Sequence, residues 1–221
     1  MPVASSGQRL LRYDRRLNVR LVAGADEAGR GALAGPLVCA AVLFDYELFR
    51  GRAVRPLSVL KDSKQLTRAE RERLLGAIVA AASAIAVRVV PAAQIDRAGL
   101  HRSNLDGLRR CLAAVAPSAD VCLVDGFPLG EDAPDHRTVI HGDTRSAAIA
   151  AASIIAKVTR DRLLRRLAEQ YPQYGFAGHV GYITRAHEAA VREHGPCPEH
   201  RLSFAAACLR AGPRPNAGRR P

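Results

Sequence analysis

Leu21 to Phe44 reads LVAGADEAGRGALAGPLVCAAVLF, and the residues after its glycine loop separate one fold class from another. The apolar run from Leu21 reads as a strand ending in two adjacent acids, Asp26 and Glu27. The loop Gly29-Arg30-Gly31-Ala32-Leu33-Ala34-Gly35 superficially matches a dinucleotide-binding turn, but that fingerprint needs a helix directly after it. Here Gly35-Pro36 marks a turn and Leu37 to Phe44 forms a second apolar run, so the opening is a hairpin of strands. Neighbouring anions repel unless a cation or a shared proton offsets them, so the acid pair points to a metal. Side chains alternate along a regular strand, so two adjacent ligands require the strand to bend at Glu27.

Outward from this hairpin, strands and helices alternate. Thr67-Arg68-Ala69-Glu70 fits a capping box opening a helix to about Ala82, followed by a strand over residues 84–90 that Pro91 stops. Leu105, Leu108, Leu112 and Val115 repeat at helical spacing after a cap at Ser103. Two short apolar runs then end near acids, Val121 to Val124 before Asp125 and Thr138 to Ile140 before Asp143. A stretch from Arg145 to Gln170, free of glycine and proline and rich in alanine in its first half, reads as a long helix able to lie close against a sheet or another helix. Tyr174 to Thr184 reads as a loop, Arg185 to His194 as a short helix, and residues 202–209 as a last apolar segment. The pattern is α/β, with a mixed central β-sheet flanked by helices and a small C-terminal helical extension.

With 221 residues and 48% hydrophobic content the chain can bury one core, and no run reaches the ~18 apolar residues of a membrane span. The beginning lacks a cationic stretch followed by an apolar one, so a cytoplasmic location is expected. Five scattered cysteines show no zinc spacing and read as reduced, packed thiols. The net charge of +12 favours a polyanionic partner. Most of it sits at the ends, in Arg9, Arg12, Arg15, Arg16 and Arg20 and in Arg210, Arg214, Arg219 and Arg220. Residues 1–20 are therefore expected to form a basic, partly ordered arm, 21–209 the domain, and 210–221 a disordered basic tail.

Asp26, Glu27, Asp125 and Asp143 each stand at or just past the end of an apolar run, so a sheet could gather all four at one edge. Any one of them alone is more often a turn or helix N-terminus residue. Together they suit two divalent ions about 4 Å apart, which activate water and stabilise a leaving oxygen in phosphodiester cleavage. Hard oxygen ligands select Mg or Mn over zinc. Glycines beside Arg30 allow the main chain to approach a sugar or phosphate and to sense a ribose 2′-hydroxyl.

Several longer motifs resemble those of type 2 ribonuclease H, specifically bacterial ribonuclease HII. They are D-E-A-G-R-G-x-x-x-G-P at Asp26 to Pro36, D-S-K-x-L at Asp62 to Leu66, V-D-G at Val124 to Gly126 and A-A-A-S-I-I-A-K-V-T-R-D at Ala150 to Asp161. Y-P-Q-Y-G-F, Gly181-Tyr182 and P-x-x-H-R-x-S-F at Pro198 to Phe204 are similar too. The resemblance implies a ribonuclease H-like fold and an endonuclease that cuts the RNA strand of RNA/DNA hybrids. It also implies nicking 5′ to single ribonucleotides in duplex DNA, leaving a 3′-hydroxyl, by a monomer without membrane attachment. It carries the metal-binding, catalytic role onto Asp26, Glu27, Asp125 and Asp143, and ribonucleotide recognition onto the main chain of Gly29, Arg30 and Gly31. Tyr182 would pack on the sugar at the RNA-to-DNA junction; read without the family pattern it is a half-buried core tyrosine.

Lys64, Lys157 and Arg160 carry over as phosphate contacts, although charged residues on a helix face are more often merely solvated. Asp161 lies several turns beyond Asp143 and reads as a structural partner for a nearby arginine. His141 departs from the lysine that many relatives carry two residues before the fourth acid. Ribonuclease HIII, the neighbouring family, has an added N-terminal substrate-binding domain for which the residues before Leu21 are too few. A basic binding module with incidental acids would bind duplexes without metal-dependent cleavage. An enzyme using a nucleotide cofactor would bind a dinucleotide at the glycine loop.

Overall fold

The structure is a computed structural model, which describes residues 5–49 and 51–204. The last apolar segment expected over residues 202–209 is described only to Phe204, and the tail 210–221 lies outside the described residues.

A five-stranded mixed sheet forms the centre, in the order β3-β2-β1-β4-β5. Strands β1 (Leu21–Ala28), β2 (Leu37–Asp45) and β3 (Ala82–Val90) form an antiparallel meander, while β4 (Val121–Asp125) and β5 (Arg137–Val139) continue it in parallel with β1. All nine residues of β2 are buried, as expected of a strand covered on both faces. One face carries the long helix α5 (Ala147–Gln170), with α2 (Arg68–Ala81) packed beside it; the other carries α4 (Leu100–Val115). Val22, Val38, Ala40, Val42 and Phe44 meet the alanine-rich half of α5. Ala23, Ala25, Leu37, Cys39 and Ala41 meet Leu108, Cys111 and Leu112 of α4. The helix α7 (Arg185–His194), the short α6 (Phe176–His179) and the segment to Phe204 build a third cluster, with Phe176, Val191 and Cys197 closing on Leu33 and Leu164.

Four local expectations are corrected. The strand does not bend at Glu27: β1 keeps a regular register with β2 to Ala28, so Asp26 faces α5 and Glu27 faces α4. The N-terminal arm is a helix, α1 (Ser6–Arg15), which inserts Leu10 and Leu11 into the core. Buried Asp14 ties it down, its Oδ2 accepting from the Tyr46 hydroxyl at 2.6 Å and from the Ala148 N–H at 2.9 Å. A short helix α3 (Ala92–Ala98) precedes α4, which starts at Leu100 after Gly99 at φ +81°, so Ser103 is a buried interior residue and not the cap. The loop after Tyr174 contains α6. By contrast, the Thr67–Glu70 capping box is present, with Thr67 N–H donating to Glu70 Oε2 at 2.7 Å and Glu70 N–H to Thr67 Oγ1 at 3.3 Å.

Candidate active site

The C-terminal ends of β1 and β4 open into a cavity of about 620 Å³. Asp26 and Glu27 enter it from β1, Asp125 from the end of β4, and Asp143 from the turn before α5, so all four expected acids share one space. Gly29, Arg30 and Gly31 line it beyond the acids, and Lys64, Lys157 and Tyr182 face it from the loop before α2, from α5 and from the loop before α7.

The acids are under electrostatic load. Burial holds Asp26 well above the ordinary carboxylate range, and the charges of Glu27 and Asp125 push it further. Glu27 is raised by burial and by Asp125, with Arg30 working in the opposite direction from 3.8 Å. Asp143 is raised by burial, then by Asp125 and Asp62. Among the described residues no three acid, histidine or cysteine side chains converge as a ready-made ion cage. Asp26 Oδ1 accepts from the Glu27 N–H at 2.7 Å, and Asp125 Oδ1 from the Gly142 N–H at 2.6 Å. A crowd of hard oxygen donors, raised by burial and by one another, is the chemistry that a divalent ion satisfies.

Part of the lining is main chain. Gly29 stands at φ +91°, and a Cβ there would lie 2.0 Å from Arg160 Nε, so only glycine fits. The Arg30 guanidinium is partly exposed and lies 5.0 Å from the Phe127 ring centroid. Lys157 Nζ sits 5.0 Å from the Tyr182 ring centroid and pairs with Asp161 at 2.8 Å. Asp161 also meets Arg71 at 3.6 Å, which agrees with its reading as a structural partner of an arginine. Arg160 is the one expected site residue that does not line the cavity. It is fully buried and donates to the carbonyls of Pro36, Val180 and Ala34, so its guanidinium is engaged by main chain behind the cavity lining. His141 is exposed at φ +53° in the turn before Asp143.

A family model described as Ribonuclease HII matches residues 23–207, which spans the strands, the acids and the C-terminal cluster. The chain belongs to the ribonuclease HII family. A ribonuclease HII from Salinispora arenicola (strain CNS-205) is 50% identical over 210 residues, covering 94% of this chain and 76% of its own length. One from Salinispora tropica (strain ATCC BAA-916 / DSM 44818 / JCM 13857 / NBRC 105044 / CNB-440) is 52% identical over 191 residues, covering 86% of this chain and 68% of its own length. Among solved structures, the ribonuclease H2 from Pyrococcus horikoshii OT3 superposes with a TM-score of 0.72 at 26% identity, over 86% of this chain and 97% of that one. This ribonuclease HII-family protein is thus a ribonuclease H-type endonuclease with the fold the motifs implied. No helix among its described residues is long and apolar enough to cross a membrane.

The cavity of this ribonuclease HII-family protein also brings in residues with no site role assigned from sequence, although Ser63 and Ser153 stand inside the D-S-K-x-L and A-A-A-S-I-I-A-K motifs. Ser63 and Ser153 line the cavity and hydrogen-bond to each other at 3.0 Å, with Ser153 within reach of Asp26. Arg71 donates to the carbonyls of Ser63 and Leu66 at 2.9 and 2.6 Å and so holds the loop that carries Lys64. Behind Tyr182 runs a histidine chain whose tautomers are dictated by its ends. The Cys197 N–H donates to His200 Nδ1 at 3.0 Å, so His200 Nε2–H donates to His187 Nε2 at 3.0 Å, and His187 Nδ1–H donates to the Tyr182 carbonyl at 3.0 Å. A proton added to either ring would set two donors against each other.

Burial accordingly pushes His187 down to about 4. Its contribution to stability is full above the unfolded value of 6.5 and is lost as pH falls toward 4, because the unfolded chain gains a proton that the folded one refuses. The stability gap between the native protein and His187→Phe is therefore expected to narrow by roughly 3 kcal/mol between pH 7.5 and 4. Urea midpoints at the two pH values check this, and a gap independent of pH contradicts the neutral chain.

Proposed function

We propose that the protein hydrolyses the RNA strand of RNA/DNA hybrids and nicks 5′ to single ribonucleotides embedded in duplex DNA, leaving a 3′-hydroxyl. The observation that carries the reading is a single cavity lined by four carboxylates, a glycine-flanked main chain and a tyrosine. Asp26, Glu27, Asp125 and Asp143 would hold two divalent ions, magnesium or manganese. Such ions, when bound, supply a water acidic enough to attack phosphorus and charge to stabilise the leaving oxygen.

The remaining work falls to the chain itself. The main chain of Gly29, Arg30 and Gly31 can approach a ribose because no side chain screens the glycines, and a 2′-hydroxyl is the group there that separates RNA from DNA. Tyr182 offers an apolar ring face to the adjoining sugar, with Lys157 beside it to attract the phosphate. Arg30 and Lys64 add positive charge at the rim, which steers and orients the backbone without reading sequence. One chain supplies the whole lining, which supports action as a monomer, and duplex DNA as substrate supports a cytoplasmic location.

A duplex with one embedded ribonucleotide is expected to be nicked on the 5′ side of that ribonucleotide in magnesium or manganese, and to stay intact in chelator. Gel mapping of the product reads this directly; an uncut duplex with both ions refutes the proposal. Tyr182→Ala is expected to lose about 100-fold in kcat/KM on the one-ribonucleotide duplex and about 10-fold on a long hybrid, since mispositioning matters most where one junction must be found. Equal losses on the two substrates argue against a junction role.

A further inference from the structure

Arg160 and Arg201 are both buried to 0% exposure, and their acceptors are main-chain carbonyls. Burial and the charge of Arg160 push Arg201 down to about 10, so the two cations lie close together inside the fold. Burying two like charges is costly, and apolar side chains would fill the space more cheaply. What the pair accomplishes is visible in the carbonyls it grips. Arg201 donates from Nη1 to the Arg30 carbonyl at 2.9 Å and from Nε and Nη2 to the Gly35 carbonyl at 3.2 and 3.1 Å, pinning the glycine loop at both ends. Arg160 donates to the Ala34 and Pro36 carbonyls at 2.9 Å each and to the Val180 carbonyl at 2.8 Å, bridging that loop to the segment that carries Tyr182. Its guanidinium carbon also lies 5.0 Å from the Tyr182 ring centroid.

The main chain closes the same seam. The Gly181 carbonyl accepts from the Leu33 and Ala34 N–H groups at 2.9 and 3.1 Å, and Arg201 N–H donates to the Leu33 carbonyl at 3.0 Å. Gly181 stands at φ +77°, and a Cβ there would lie 2.3 Å from the Ala34 carbonyl oxygen. Planar forks that satisfy several carbonyls at once fix geometry in a way a lysine cannot reproduce.

We propose that Arg160 and Arg201 are positioning residues that hold the Gly29–Gly31 main chain and the Tyr182 ring as one rigid unit, and so set the preference for ribose over deoxyribose in the cavity. This rests on the reading of that loop and ring as the part that senses the sugar. Neither arginine touches the substrate; each acts through the carbonyls it grips.

The test is fluorescence anisotropy in chelator, where nothing is cut, on two duplexes that differ by one ribonucleotide. The native protein is expected to bind the ribonucleotide duplex about 10-fold more tightly, the worth of a hydrogen bond or two to the added hydroxyl. Arg201→Lys keeps a buried cation but cannot span Arg30 and Gly35, so the ratio falls to about one while affinity for the all-DNA duplex stays within about twofold. Gly181→Ala keeps both arginines and breaks the seam, its Cβ lying 2.3 Å from the Ala34 carbonyl oxygen and 3.2 Å from Arg160 Nη2, and the same collapse is expected. A native ratio in both variants, or equal losses on both duplexes, overturns the clamp. A native protein that neither prefers nor nicks the ribonucleotide duplex overturns instead the reading beneath it.

Discussion

Asp26→Asn is expected to abolish cleavage, by at least about 1,000-fold in kcat, and at the same time to raise the melting temperature of the metal-free protein. Both effects have one origin. Asp26 lies on the central strand β1, 6% exposed, with Glu27 next to it and Asp125 across on β4. Burial first, and those two charges second, make its ionised form unfavourable. A carboxyl whose folded value is raised stabilises the fold below its unfolded value and loses that contribution as pH rises through the folded one, so at neutral pH this carboxyl is a burden on the fold. Asparagine removes the charge and keeps an oxygen for the Glu27 N–H that Asp26 Oδ1 accepts at 2.7 Å. The same substitution removes an anionic ligand from the proposed metal set. Thermal melts in chelator and turnover in manganese check the two halves; an active variant, or one less stable at neutral pH, contradicts the argument.

Gly24→Ala is expected to destabilise the protein by about 3 kcal/mol or more, although it adds a single methyl group. A Cβ at Gly24 would lie 2.3 Å from the Ala148 carbonyl carbon and 2.3 Å from the Ile149 nitrogen, which are backbone atoms of α5 and cannot swing aside. Ala147, Ala148, Ala151 and Ala152 are fully buried, and these small side chains let the helix axis come close to β1. Moving α5 outward to admit the methyl would also shift Ser153 from Asp26 and disturb the turn with Asp143. Urea denaturation measures the loss, and an unchanged midpoint would mean that the helix and sheet are not in the contact described.

Much of this architecture is legible in local chemistry. The apolar runs ending at Asp26 and Asp125, the Thr67–Glu70 capping box and the alanine-rich stretch before Gln170 each have a cause within a few residues, and each forms as expected. The elements that escape such a reading are those whose signal is diluted. In α1 the apolar pair Leu10–Leu11 is crowded by Arg9, Arg12, Arg15 and Arg16, so its buried side is hidden among charges that the helix turns to solvent. The regular course of β1 through Glu27 is hidden because a strand that delivers ligands from both faces looks contradictory in one dimension. It is not contradictory at a sheet edge, where both faces open into the same cavity.

Arg160 marks the boundary most clearly. Its spacing from Ala152 and Ala156, four residues at a time, places it on the buried stripe of α5, a periodicity plain in the sequence. That an arginine could live on such a stripe depends on three carbonyls, those of Ala34, Pro36 and Val180, from other segments of the chain. The order of strands and helices, the acids at strand ends and the family are all written in the sequence, because periodicity, capping and contiguous motifs are local properties. Tertiary packing alone brings Asp125 and Asp143 to the Asp26–Glu27 pair in one cavity, turns Tyr182 toward them, and joins the glycine loop to that tyrosine through buried arginines. Those relations link residues distant in sequence, and they arise only when two helices and a C-terminal cluster close onto one mixed sheet.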